Sequence, residues 1–135
     1  MVAALEFGGS VVGTLRLVPI GIGLSPLEPL LADHAPPQLG RQAWEFGRLV
    51  LDPDHRGGPE LVGRSIYLAV HHLSRCTDAV NLFASCTAPL ARLYRRYGFA
   101  VVTTRVSVHD TPEPFCLIHG TVAGVLAASG AGQDS

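Results

Sequence analysis

Hydrophobic and polar positions alternate on both sides of Gly8-Gly9, through AALEF before the pair and VVGTLRLVPI after it, which is the period of a half-buried strand. Residues 3–20 therefore predict two strands around a turn at a dipeptide that tolerates positive φ. Residues 21–42 are rich in Gly, Pro and Leu and hold neither the strand nor the helix period, although SPLEPLLADH offers a turn or two of helix after Ser25. They read as a long ordered loop, a feature that in so small a domain commonly lines a substrate site. AWEFGRLVLD, residues 43–52, carries apolar side chains on both faces, as a central strand does. Beyond the Gly- and Pro-rich PDHRGGPELVG, apolar residues recur at helical spacing. Val62, Ile66, Ala69, Val70 and Leu73 predict a helix over residues 60–75 with Glu60 in its first turn.

AVNLFAS, residues 79–85, returns to strand. A second helix follows, with Thr87 as N-cap, Pro89 in the first turn, Leu90, Leu93, Tyr94 and Tyr97 on the inner face, and Gly98 as its stop. Residues 99–108 and 114–119 read as two strands joined by HDTPEP, and residues 128–135 as a small, polar, disordered tail. The order β, β, loop, β, α, β, α, β, β predicts one domain over residues 1–127, of α/β (α+β) class, with helices packed on a mixed central sheet.

Composition adds limits. The chain has 135 residues, 47% of them hydrophobic, with a mean hydropathy of +0.30, enough for one buried core. No apolar run reaches the roughly 20 residues of a membrane span, no secretory signal is visible, and cytoplasm is the expected location. A formal charge of −1 excludes coating nucleic acid with positive charge. All ten basic residues are Arg, with Arg92, Arg95 and Arg96 clustered. Cys76, Cys86 and Cys116 form no CxxC pair and have no His at ligand spacing, so they read as buried hydrophobes rather than a disulfide framework or a metal site. His71 and His72, adjacent on a helix, project about 100° apart and do not make a helical metal pair. His109 and His119 flank the last hairpin, where either is a candidate base.

Arg56-Gly57-Gly58-Pro59-Glu60-Leu61-Val62-Gly63 lies between a strand and a helix, where glycines let backbone approach an anion and free N–H groups of the first helical turn point at it. Arg56 adds a fork for phosphate. A tight connection that merely needs flexible residues is the other reading. TAPLARLYRRYGFAVV, residues 87–102, together with the upstream LVLDPDHRGG, resembles the signature of GNAT-type N-acyltransferases. The resemblance implies a GNAT-like sheet and a loop, formed by Leu51, Arg56, Gly57, Gly58, Leu61, Val62, Gly63 and Arg64, that holds the phosphopantetheine of coenzyme A or of an acyl carrier protein. It implies acyl-CoA or acyl carrier protein as co-substrate, with no tightly bound cofactor and no metal. The glycine spacing departs from the family's by about two residues at Pro59.

VGTLRLVPIGIGL and AWEFGRLVLDP resemble, more narrowly, autoinducer (acyl-homoserine-lactone) synthases and long-chain N-acyl amino acid synthases, at Arg16, Trp44, Glu45 and Arg48. On a regular strand Glu45 and Arg48 face opposite ways. A bulge at Gly47 would bring them together and splay the strand from its neighbour, opening a slot for a thioester arm. Glu45, paired with Arg48 or Arg16, would then accept the proton of the attacking amine; a structural ion pair in a half-buried sheet is the alternative. The resemblance gives Tyr94 the role of acid toward the leaving thiolate, against packing as the plain reading, and Tyr97 is assigned to packing. Cys86 as a nucleophile lacks a partner base, and direct transfer needs no acyl-enzyme.

The resemblance covers residues 3–119 and lacks the usual N-terminal strand and helices, which leads to the expectation of a homodimer that covers an open sheet edge. The expected function is transfer of an acyl group from acyl-CoA or acyl carrier protein to the amine of a small, amino-acid-like acceptor. An acetyl-CoA-dependent N-acetyltransferase and a non-catalytic GNAT-like binding module are the alternatives.

Overall fold

A computed structural model describes residues 2–7, 10–51, 58–106 and 115–130; for 2–7, 10–12, 48–51, 58–60 and 105–106 it describes the backbone alone. Six strands, β1 (Val2–Phe7), β2 (Ser10–Pro19), β3 (Ala43–Leu51), β4 (Asn81–Cys86), β5 (Ala100–Val106) and β6 (Phe115–Thr121), form one sheet in the order β1-β2-β3-β4-β6-β5. β3 and β4 run parallel; the other neighbours are antiparallel. A parallel pair needs a crossover, and α2 (Gly58–Cys76) supplies it. α3 (Ala88–Arg95) follows β4, and Gly98, at φ +94, turns the chain into β5. Thr87 sits at the cap position of α3, but its hydroxyl makes no capping bond.

Side-chain alternation divides the sheet into two apolar faces. Leu15, Leu17, Phe46, Leu82, Ala84, Cys86 and Ile118 pack with Ile66, Ala69, Val70 and Leu73 of α2 and with Ala91 and Tyr94 of α3. Ala43, Phe83 and Leu117 point the other way and pack with Leu27 and Leu31. Each face therefore has its own helical cover, the arrangement of an α/β sheet.

Two segments differ from the sequence expectation. The stretch read as a loop holds a two-turn helix, α1 (Glu28–His34), and a 3-10 turn (Pro37–Gly40). Leu27 and Leu31, four residues apart, are its buried anchors, and two positions are too few to establish a helical period against the surrounding prolines. Residues 128–130, expected in a disordered tail, belong to α4 (Val122–Gly130). This helix is small and apolar on every side, so it shows no amphipathic stripe, yet small residues are what let it close on its neighbours. A Cβ at Gly98 would lie 2.9 Å from the Gly124 carbonyl oxygen, and one at Gly130 would lie 3.0 Å from the Tyr67 ring. Val122 and Val125 are buried, and the Ser129 hydroxyl donates back to the Val125 carbonyl at 2.6 Å. The Gly8-Gly9 turn, the HDTPEP turn with His109, and residues 131–135 lie outside the described residues.

Candidate active site

The parallel ladder between β3 and β4 covers only Ala43–Glu45 against Asn81–Phe83. Beyond it the two strands part. The cause lies on the opposite edge of β3: Arg16 pairs Gly47 whereas Thr14 pairs Val50, so β3 carries one extra residue between positions 47 and 50. Such a bulge bends its strand and raises the local twist, which draws the C-terminal half of β3 away from β4. The expected bulge is thus present one step past Gly47, at Arg48–Leu49. Because α2 and α3 both start from the C-terminal ends of these two strands, the gap opens where parallel sheets commonly bind ligands.

Two cavities occupy the gap. The first, about 210 Å³, is lined by Arg16, Pro26, Glu45, Phe46, Gly47, Ser85 and Phe115. The second, about 180 Å³, is lined by Phe46, Gly47, Ala84, Ser85, Cys86, Thr87, Leu90, Tyr94 and Phe115. Each is smaller than the roughly 300–1,000 Å³ of a small-molecule site. They share Phe46, Gly47, Ser85 and Phe115, and so adjoin as one slot in the gap, with Glu45 lining one part and Tyr94 the other.

At the first mouth, Glu45 Oε1 accepts a hydrogen bond of 3.0 Å from the Ser25 hydroxyl. Arg16 lines the same cavity and, among the described residues, makes no ion pair with Glu45; the other expected partner, the Arg48 side chain, lies outside the described residues. Toward the second mouth, Tyr94 is buried edge-on against Phe46, and burial, reinforced by Cys86, pushes its phenol up to about 12. Burial, with Cys116 opposite, pushes the Cys86 thiol up to about 12 as well. A thiol so reluctant to ionise is a poor nucleophile.

The other residues named from the sequence fall in three places. Arg56 and Gly57, and the side chains of Arg48 and Leu51, lie outside the described residues. Gly58 opens α2 two residues earlier than expected, and Arg64 is exposed on it. Leu61, 5% exposed, belongs to the core, Val62 packs on that core, and Gly63 is buried beneath Tyr97. His119 does not line the slot. Its Nε2 donates to Asn81 Oδ1 at 2.8 Å, because the Asn81 amide group is committed to the Arg41 carbonyl at 3.0 Å, and its ring leans on Phe83. His71 and His72 are exposed on α2. Among the described residues no cluster of His, Cys, Asp or Glu could hold a metal ion, and no helix is long and apolar enough to cross a membrane.

Ser25, Ser85 and Phe115 join the site without a sequence signal. Ser25 reads as a helix cap, and the other two gain meaning only from the strand order that places β6 beside β4.

The profile of the family described as N-acyl amino acid synthase FeeM matches residues 1–121. The acyl-homoserine-lactone synthase LasI superposes with a TM-score of 0.73 at 14% identity, over 97% of this chain and 68% of that one. FeeM, an N-acyl amino acid synthase from uncultured soil microbes, superposes with a TM-score of 0.71 at 14% identity, over 94% of this chain and 75% of that one. MesI, a CoA-dependent acyl-homoserine lactone synthase, gives 0.66 at 18% identity, over 97% and 67%. No curated protein matches in sequence. At these identities the structural likeness speaks for a shared GNAT-like fold.

Proposed function

The chain belongs to the N-acyl amino acid synthase FeeM family and is an acyltransferase, and from that premise we propose that it joins an acyl group, delivered as a pantetheine thioester, to the amine of an α-amino acid. The observation that carries this reading is the pair of adjoining cavities in the gap between β3 and β4, one lined by a carboxylate and the other by a buried phenol. Transfer needs a base on the amine side and a hydrogen-bond donor on the sulfur side, held apart by the reacting carbonyl.

In this reading the amino acid enters the first cavity. Its amine gives a proton to Glu45, directly or through water, and its carboxylate meets Arg16, whose planar fork suits that group. The nitrogen attacks the thioester carbonyl, the C–S bond breaks, and the sulfur leaves toward Tyr94 and takes up the proton that the nitrogen sheds on becoming an amide. A phenol at about 12 sits roughly three pKa units above a free thiol, so Tyr94 stabilises the departing thiolate by a hydrogen bond and keeps its proton. The thioester arm lies between the unpaired edges of β3 and β4, with its phosphates toward the Arg56–Gly58 end of the crossover. The apolar lining of the second cavity, Phe46, Ala84, Cys86 and Leu90, favours an acyl chain longer than acetyl.

A thermal-shift series with acetyl-CoA, octanoyl-CoA, palmitoyl-CoA and an acylated carrier protein tests the donor. Stabilisation that grows with chain length is expected; none with any thioester would defeat the reading. Turnover, read as thiol release with octanoyl-CoA and a mixture of the proteinogenic amino acids, is expected to fall roughly 100-fold or more in Glu45→Gln.

A further inference from the structure

Residues 21–27 pass over the face of the sheet that carries Glu45, and they bring one hydroxyl to it. Ser25 is 6% exposed. Its Oγ accepts the Leu27 N–H at 3.1 Å and donates to Glu45 Oε1 at 3.0 Å. Since the Leu27 N–H is a donor and an ionised carboxylate only accepts, the hydroxyl hydrogen has one remaining direction, toward Glu45. The serine is itself held. Glu28 Oε2 accepts the Gly23 N–H at 2.9 Å and the Ser25 N–H at 3.4 Å, while Gly21 and Gly23 take positive φ values of 106° and 82° that side chains resist. Capping does not explain this hydroxyl: the N-cap of α1 is Leu27, and no side chain caps that helix.

We infer that Ser25 is a positioning residue for acyl transfer, fixing Oε1 of Glu45 so that Oε2 is the oxygen presented to the acceptor amine in the cavity. The terminal torsion of a glutamate is broad and two-fold, so its oxygens have no intrinsic preference, and one part-buried hydrogen bond decides which of them faces the ligand. Pro26, the next residue, lines the same cavity, so the segment that orients the base also walls the acceptor. The inference rests on Glu45 as proton acceptor and deepens that reading.

The test compares Ser25→Ala and Ser25→Thr in the full chain with octanoyl-CoA and the proteinogenic amino acids. Ser25→Ala is expected to lower kcat roughly 10- to 100-fold, the loss that follows removal of a hydrogen bond to an ionised group, with KM for octanoyl-CoA unchanged. Ser25→Thr keeps the hydroxyl and is expected to restore most of kcat. Wild-type kcat in Ser25→Ala overturns the inference, as does a threonine variant as slow as the alanine one, or a loss of kcat matched by a collapse in melting temperature that threonine does not repair. Glu45→Gln separates the two levels. If it is fully active, Glu45 is not the base; if it is inactive while Ser25→Ala is fully active, only the positioning role falls.

Discussion

Gly63 of α2 and Tyr97 beyond α3 are in contact so close that a Cβ on the glycine would sit 2.7 Å from Cε1 of the tyrosine ring. The absent side chain serves helix–aromatic packing. Gly63→Ala removes a helix-interior glycine, which by itself stabilises by about 1 kcal/mol. Overpacking against a ring that leans on the core costs about 1–3 kcal/mol, so the clash wins and a net loss of about 1 kcal/mol is expected. Urea denaturation of Gly63→Ala, Tyr97→Ala and the double variant checks it: the tyrosine truncation should relieve the alanine, giving strong coupling between the two sites.

At Gly98 the same substitution is expected to cost more. The residue sits at φ +94, and its Cβ would meet the backbone of α4 at 2.9 Å, atoms that cannot swing aside as a ring can. Left-handed backbone alone costs about 1–2 kcal/mol for a side chain, so Gly98→Ala should lose well over 2 kcal/mol and exceed Gly63→Ala in the same denaturation series. Equal losses would show that α4 shifts freely.

How much of this was legible before folding follows from the kind of signal each feature needs. The strands of the first hairpin, the central strand and the stripe of α2 are local, and alternation or helical spacing announces them. The helix α4 is apolar all round and α1 has two anchors, so neither leaves a period to read. Glu45, Arg16 and Tyr94 stood out because a short motif surrounds them, whereas Ser25, twenty positions from Glu45, needed the fold to bring it there. Gly63 sits within a glycine-rich segment that reads as a phosphate loop, and nothing local announces the tyrosine that packs over it.

His119 should make stability depend on pH. Burial lowers its pKa below the ordinary 6.5, so the unfolded chain takes up a proton first as pH falls. Stability therefore rises with pH from the folded pKa up to about 6.5, and acidification through that window costs stability. His119→Gln can keep a donor to Asn81 without titrating, and its melting temperature is expected to fall less between pH 7.5 and the acid end of the window. Parallel curves for the two proteins would assign the pH dependence elsewhere.

Tyr94 gives a prediction in the opposite pH range. With its phenol at about 12, it remains protonated throughout the range in which the protein can be assayed, and no basic limb below about pH 10 should belong to it. Tyr94→Phe should lower kcat roughly tenfold, the worth of one hydrogen bond to a developing charge, while the shape of the pH–rate profile is retained. Loss of a basic limb in the phenylalanine variant would mean that the tyrosine ionises in turnover.

Gly47 is where sequence and structure assign the same residue different reasons. As a bulge glycine it would be needed for its backbone, yet the extra residue of β3 lies beyond it, its φ is not positive, and a Cβ there would meet nothing within 4 Å. The empty space around that Cβ is the slot itself, since Gly47 lines both cavities. A side chain at this position should therefore leave folding intact, and alanine should even gain about 0.5–1 kcal/mol in a strand interior, while narrowing the passage between base and thioester. Gly47→Ala is expected to keep or raise the melting temperature and to raise KM for octanoyl-CoA; Gly47→Leu should abolish turnover and the thermal shift given by acyl-CoA, still as a folded protein by circular dichroism. Undiminished acyl-CoA binding in Gly47→Leu would place the thioester outside the gap between β3 and β4, and the function proposed for the slot would fall with it.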